Sequence, residues 1–346
     1  MIHLLDNDPR KYSEPEIYKY NHGSLGSVMI NINEELKKLN HYAEPDQAEW
    51  VGVCDPLNIN FKYKDKKSFL ISCWETANAL PHYHLQVARQ SNQKLIGMSD
   101  QITNLWKKYN FNCKTLHLGA DTEFWHPTKE KDKNKFVFIL PLATFVRSGI
   151  DSTLEAFLLA FKNNKDVILK LKDTEASPKY LSKIEEYKKL GLNIEHYSGR
   201  WSMQELRDFY SSAHVCLTLQ RAASFGLIIS ESMSCNTLNL TGNIQPFSEI
   251  VNKDISIMVN ANTIPINKNI NYLIENWGFM NNYGGFEYLE EPLYYDYNIE
   301  DYANKMLLCY KAWSEKYSKL NYREYIKQNF TWEKTAKNLI NILNEK

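Results

Sequence analysis

Apolar residues along the chain recur in short runs rich in β-formers, most of them followed by a stretch with helical spacing. The first runs are AEWVGVCD (48–55), SFLISCWE (68–75), QKLIGMSD (93–100) and CKTLHLG (113–119). The helical stretches HLQVARQSN (84–92) and QITNLWKKYN (101–110) separate the later ones. This alternation predicts a parallel sheet covered on both faces. At 128–135 the chain reads TKEKDKNK, a charge run expected to be solvated and to link two domains. The alternation then restarts. Strands are predicted at KFVFILPL (135–142), DVILKLKD (166–173), NIEHYSG (193–199), VCLTL (215–219) and TLNLTG (237–242). Helices are predicted at GIDSTLEAFLLAFKNN (149–164), with Asp151 or Ser152 near its cap, and at SPKYLSKIEEYKKLG (177–191), ended by Gly191. Two more follow: SMQELRDFYSSA (202–213), with Ser202 as N-cap and Glu205 at the capping-box position, and LIISESMSC (227–235). Residues 260–298 break the pattern with an Asn-, Tyr- and Gly-rich segment, either a surface excursion or a loop over a cleft. TWEKTAKNLINILNEK (331–346) reads as a closing amphipathic helix.

Composition narrows the class. The 346 residues exceed one ordinary core and predict two domains. Lys+Arg and Asp+Glu are both 41, so the net charge is zero, which argues against a strongly basic nucleic-acid binder without excluding a local basic groove. No apolar run approaches the roughly 20 residues that span a bilayer. The opening MIHLLDNDPRKYSEPE lacks a basic segment followed by an apolar core, so no signal peptide is expected. The six cysteines are scattered without a CxxC pair, as expected of reduced thiols in a cytoplasmic protein.

Two α/β halves imply a cleft, because ligands of such sheets bind beyond the carboxyl ends of the strands. The turn RAASFGLIISES (221–232) lies there, between a buried strand and a helix. Ser224, Phe225, Gly226 and Leu227 open that helix, whose free N–H groups and positive dipole end suit an anion or a ribose. Glu231, further along, is a candidate acceptor for two vicinal hydroxyls. Gly23, Ser24 and Gly26, in NHGSLGSVMININEELKKL, form a second candidate glycine-rich loop ahead of a helix.

The order of motifs resembles that of the GT-B-fold glycosyltransferases, in particular glycosyltransferase family four. HLGADTEFWHP (117–127) is similar to N-G-V-D-x-x-x-F-x-P, and RSGIDSTLEAF (147–157) to K-G-x-D-x-L-x-x-A-F. SGRWSMQELRDFYSSAHVCLTLQ (198–220) is similar to G-x-x-x-x-x-E-L-x-x-x-Y-x-x-A-D-V-x-x-x-P-S. SFGLIISESMSCNTLNLTGNIQPFSEIV (224–251) resembles G-F-G-L-x-x-x-E-A-M-A-x-G-x-P-V followed by G-x-x-E-I-V, FTWEKTA (330–336) resembles F-S-W-x-x-x-A, and WETANALP (74–81) resembles W-E-x-x-x-L-P.

The resemblance implies two Rossmann-like, doubly wound domains facing a cleft. Residues 1–128, with a helix returning from about 320–346, would hold the acceptor; residues 129–319 would hold the donor, with the insert near 260–298. It implies retaining, metal-independent transfer of a sugar from a UDP-, GDP- or ADP-sugar, with no further cofactor, to an acceptor left open. It places Glu231 at the ribose. The first acid of the family's E-x7-E falls on Ala223, and the Arg and Lys that hold the donor diphosphate fall on Ala143 and Ser148. Arg147, Lys170 and Lys172 are the candidate replacements. Glu75, at a strand end, and His82, with His84 just beyond, are candidates for catalysis or for contacting donor sugar and acceptor. Two other readings stay open: a phage-type glycosyltransferase acting on DNA bases, and a noncatalytic nucleotide- or partner-binding protein of the same fold. The oligomeric state is open.

Overall fold

The computed structural model describes residues 1–5, 23–54, 66–141, 146–174, 176–266 and 287–345. The first sheet is parallel, in the order β1 (Ile2–Leu5), β2 (Trp50–Val53), β3 (Lys67–Ser72), β4 (Lys94–Gly97), β5 (Cys113–Thr115). Alternate residues of its strands enter two separate cores. Leu4, Phe69, Ile71 and Ile96 pack with Val28, Met29, Ile32 and Leu36 of α1 (Gly23–Lys38). Val53, Leu70 and Leu95 pack with Leu85 of α2 (His82–Gln90) and with Ile102, Leu105 and Trp106 of α3 (Asp100–Lys108). Both faces are therefore covered, as period-2 strands buried on two sides require.

The second sheet contains β6 (Phe136–Pro141), β7 (Val167–Lys172), β8 (Ile194–Tyr197), β9 (Val215–Thr218), β10 (Leu238–Asn243), β11 (Ile257–Pro265) and β12 (Leu293–Tyr297). Its order is β12-β11-β10-β9-β6-β7-β8, parallel except for the β11/β12 pair. The order reverses between β6 and β9, where the connections leave in opposite directions. That reversal is the topological switch point, and a crevice opens there beyond the strands' carboxyl ends. The helices are α4 (Ile150–Phe161), α5 (Pro178–Lys189), α6 (Met203–Ser212), α7 (Leu227–Ser234), α8 (Phe247–Ile250), α9 (Ile299–Lys311) and α10 (Tyr322–Asn329). Ser202 and Glu205 form the capping box of α6, and Gly191 follows α5 in a left-handed conformation. The N-cap of α4 is Gly149 rather than Asp151 or Ser152.

The fold is two Rossmann-like α/β halves, the GT-B architecture. The closing helix α11 (Trp332–Asn344) leaves the second sheet and packs on α1, and Thr335 Oγ1 donates to the His117 carbonyl at 3.0 Å.

Four expectations need correction. GSLG is not a loop ahead of α1: the helix already begins at Gly23, with Gly26 in its first turns, while the side chain of Ser24 lies outside the described residues. The TKEKDKNK link is not wholly solvated. Lys131 is half-buried, donates to the Ala213 carbonyl, and is pushed down to about 8 by desolvation. CKTLHLG is a strand only over Cys113–Thr115. The Asn/Tyr-rich segment is partly regular, since its ends form β11 and β12, while 267–286 lies outside the described residues.

A cleft built from two strand-end loops

Two loops meet at the switch point. After β6 the chain reaches a short 3₁₀ turn, Val146–Ser148, that carries Arg147. After β9 it runs through Leu219–Gly226 into α7. Gly149, at φ +69, lets them touch: a Cβ there would sit 2.7 Å from the Leu219 carbonyl oxygen. Gly226 has φ +123, and its Cβ would press on Phe247 and Ile250 at 3.1 to 3.2 Å. Both positions suit only glycine.

The loops frame a cavity of about 270 Å³ between the two sheets. Leu25, Val28, Cys73, Glu75, Met98 and Leu118 line it from the first half; Arg147, Thr218, Gln220, Ala223–Ile229 and Phe247 line it from the second. Most of this wall is apolar. The charged pair within it is an ion pair from Arg147 Nη1 to Glu75 Oε2, which crosses from one half to the other with both side chains about three-quarters buried. Sequence-nominated Glu75, Arg147, Ser224, Phe225, Gly226 and Leu227 are thus brought together.

The remaining candidates lie elsewhere. Glu231 is one turn deeper along α7 and does not line the cavity. It is half-buried, its nearest donor is the Tyr210 hydroxyl at a long 3.5 Å, and desolvation pushes it up to about 8. His82 does not line the cavity; it begins α2, and its N–H donates to the Glu287 carbonyl at 2.7 Å. His84 is buried edge-on against Trp74 and is pushed down to about 4 by desolvation. Lys170 pairs with Glu195 at 3.2 Å, and the Lys172 ammonium lies 5.5 Å from the Trp201 ring. Neither lysine reaches the cavity. Ala143 lies outside the described residues, and Ser148 is buried.

Sequence reasoning missed the residues that hold the halves together. Glu249, in the SEIV segment, accepts from the N–H groups of Asp100 (2.7 Å) and Gln101 (3.0 Å) at the start of α3 in the other half. It also meets His117 Nε2 at 3.0 Å, which raises the histidine's pKa. This is an N-terminal helix cap supplied across the cleft. Ser224 Oγ donates to the Trp74 carbonyl at 3.2 Å. Residues 287–293 run along the WETANALP segment: the Ala77 N–H donates to the Leu293 carbonyl (2.9 Å) and the Leu293 N–H to Asn78 Oδ1 (2.8 Å). Only the presence of these residues inside quoted motifs signalled them.

Residues 121–286 match the family described as Glycosyl transferases group 1. Among solved structures, the chain is similar to a glycosyltransferase from Rickettsia africae ESF-5 (TM-score 0.64, 14% identity, covering 94% of this chain and 84% of that one). It is also similar to sucrose-phosphate synthase from Thermosynechococcus elongatus (TM-score 0.63, 14% identity, 89% and 76% covered). A third is Anabaena Alr3699/HepE in complex with UDP and glucose (TM-score 0.61, 12% identity, 99% and 91% covered). No curated protein matches the chain significantly. The family match and the shared architecture support the GT-B glycosyltransferase superfamily. Among the described residues no helix is long and apolar enough to cross a membrane.

The state of Glu231 is testable. Its folded carboxyl keeps its proton to about pH 8, whereas the ordinary value is 4.5. The folded chain then holds an extra proton between those values, and stability falls as pH rises through that window. Glu231→Gln should match wild type in thermal melts at pH 5 and exceed it at pH 8.5. A difference independent of pH would contradict the desolvated carboxyl.

Proposed function

We propose that the chain is a retaining, metal-independent glycosyltransferase that binds a nucleotide-sugar donor in this cleft. The observation that carries the reading is Arg147, held at the switch point beside the N-terminus of α7. A donor diphosphate placed there meets a guanidinium and the positive end of a helix. Both act on the leaving diphosphate, where negative charge grows as the sugar departs. Water-poor apolar walls strengthen that attraction.

Glu231 would take the ribose. It lies one turn beyond the cavity wall with one long donor contact, and it would give up its proton to accept from the two vicinal hydroxyls of a ribose that reaches past that wall. Arg147 pairs with Glu75, so a diphosphate would take over the arginine from a carboxylate of the opposite half. Lys170, Lys172 and His82 have no part in this scheme. The UDP in the Anabaena neighbour makes a uridine nucleotide the first to try, with GDP and ADP beside it. The acceptor is a glycan, lipid or other molecule entering from the first half. DNA is disfavoured by a net charge of zero.

Ala223 supports a second reading. Its buried methyl lines the cavity where the family resemblance calls for an acid, so the site would keep the nucleotide without transferring the sugar. Two assays separate the readings. Thermal melts with UDP, GDP and ADP should show stabilisation by at least one; no shift with any rejects both readings. Incubation with the matching nucleotide sugars should then release nucleotide by hydrolysis or transfer, and binding without release would favour the noncatalytic reading.

The Glu75 pair adds a directional test. Glu75→Gln removes the carboxylate charge that competes for Arg147, and an ion pair about one-quarter exposed is worth about 0.5–1 kcal/mol. The bound nucleoside diphosphate should therefore tighten by roughly two- to fivefold in titration calorimetry. Weaker binding would contradict a competition between Glu75 and the donor.

A further inference from the structure

We propose that Arg221 is the positioning residue of the donor site, fixing Arg147 and the start of α7 relative to one another without touching the ligand. This rests on the reading of the cleft as a donor site.

Arg221 is the first residue of the RAASFG turn and is 4% exposed. Its Nη1 and Nη2 donate to the two carboxylate oxygens of Asp151 at 2.7 Å each, and Nη2 also donates to Ser152 Oγ at 2.8 Å. Asp296 of β12 stands 3.7 Å from its Nε. Its main chain is engaged as fully. The Arg221 N–H donates to the Arg147 carbonyl at 2.7 Å, and its own carbonyl accepts from the Tyr295 N–H at 2.9 Å. The side chain therefore holds the first turn of α4, four residues beyond Arg147, while the backbone holds Arg147 itself. From the same residue the chain continues through Ala222 and Ala223 to Ser224 and Gly226 on the cavity wall.

Arg221 thus locks the Arg147 turn at two points and is the origin of the turn that aims α7. A planar fork that donates to both oxygens of one carboxylate and to a hydroxyl, with a second carboxylate nearby, has one orientation available. A lysine keeps the charge but cannot reproduce the two parallel donors. Arg221→Lys should leave the fold in place and let the Arg147 turn wander by fractions of an ångström, enough to weaken a diphosphate contact.

The test compares Arg221→Lys with Phe161→Leu, a core change at the far end of α4 that serves as a control for lost stability. Titration calorimetry would use whichever of UDP, GDP and ADP most raises the wild-type melting temperature, together with its nucleoside. The expected result for Arg221→Lys is a loss of tenfold or more for the diphosphate and less than twofold for the nucleoside. Phe161→Leu should bind both as wild type does, even if it melts earlier. If Arg221→Lys is unfolded, Asp151→Asn, which leaves Arg221 in place but removes one of its two Asp151 acceptors, should show the same diphosphate-specific loss. Wild-type affinity in the folded variant, or equal losses for diphosphate and nucleoside, overturns the positioning role alone. Failure of the wild type to bind any of the three nucleotides overturns the donor-site reading and this inference with it.

Discussion

Arg147 and Glu75 neutralise each other across the gap between two α/β layers, and much of the cleft is arranged around that contact. A charge in an apolar cavity is costly unless paired and hydrogen-bonded. Here the partner comes from the opposite layer, so the ion pair also sets how the halves face each other. With both side chains about three-quarters buried, the attraction is largely offset by desolvation and the pair contributes little stability by itself. In the proposed reading its consequence is functional: the guanidinium is held in the cleft by Glu75 until a donor diphosphate replaces the carboxylate.

The other contacts between the halves place that pair. Glu249 caps α3 from across the cleft, Ser224 reaches the Trp74 carbonyl next to Glu75, and residues 287–293 lie along the segment that follows. Each uses a backbone group that a helix or strand end leaves unsatisfied. Within the second half, Arg221 fixes the two loops to each other. Charges that bridge the halves and charges that shape a single half therefore converge on one short turn. An apolar cavity with few polar groups at its edge fits a ligand with a charged end held at the switch point.

The buried strands were plain in the sequence because VCLTL, KFVFILP and SFLIS are continuous apolar runs of strand length, and parallel strands covered on both faces read that way. β1 escaped notice because IHLL is four residues with no flanking turn signal. β11 and β12 escaped because an antiparallel edge pair rich in Asn and Tyr lacks the apolar run. Glu75, Arg147 and the SFGL turn share the cavity wall because topology fixes where strand-end turns lie. Lys170 and Lys172 misled because period-2 spacing puts two residues on one face without saying which face meets the cleft. Arg221 and Glu249 could not be singled out, since their meaning lies in Asp151, Arg147 and the start of α3, which only the fold brings near. The turn RAASFG thus ties the two loops together through its first residue and lines the cavity through its last.

The central claim is that Arg147 reads the donor's diphosphate. The ratio of nucleoside diphosphate to nucleoside affinity, measured by calorimetry in wild type and Arg147→Ala, tests it most directly. A charge-assisted contact is worth about 1.5–3 kcal/mol. The account therefore predicts that the ratio falls by roughly tenfold or more while nucleoside affinity holds. A ratio unchanged by the substitution would contradict it.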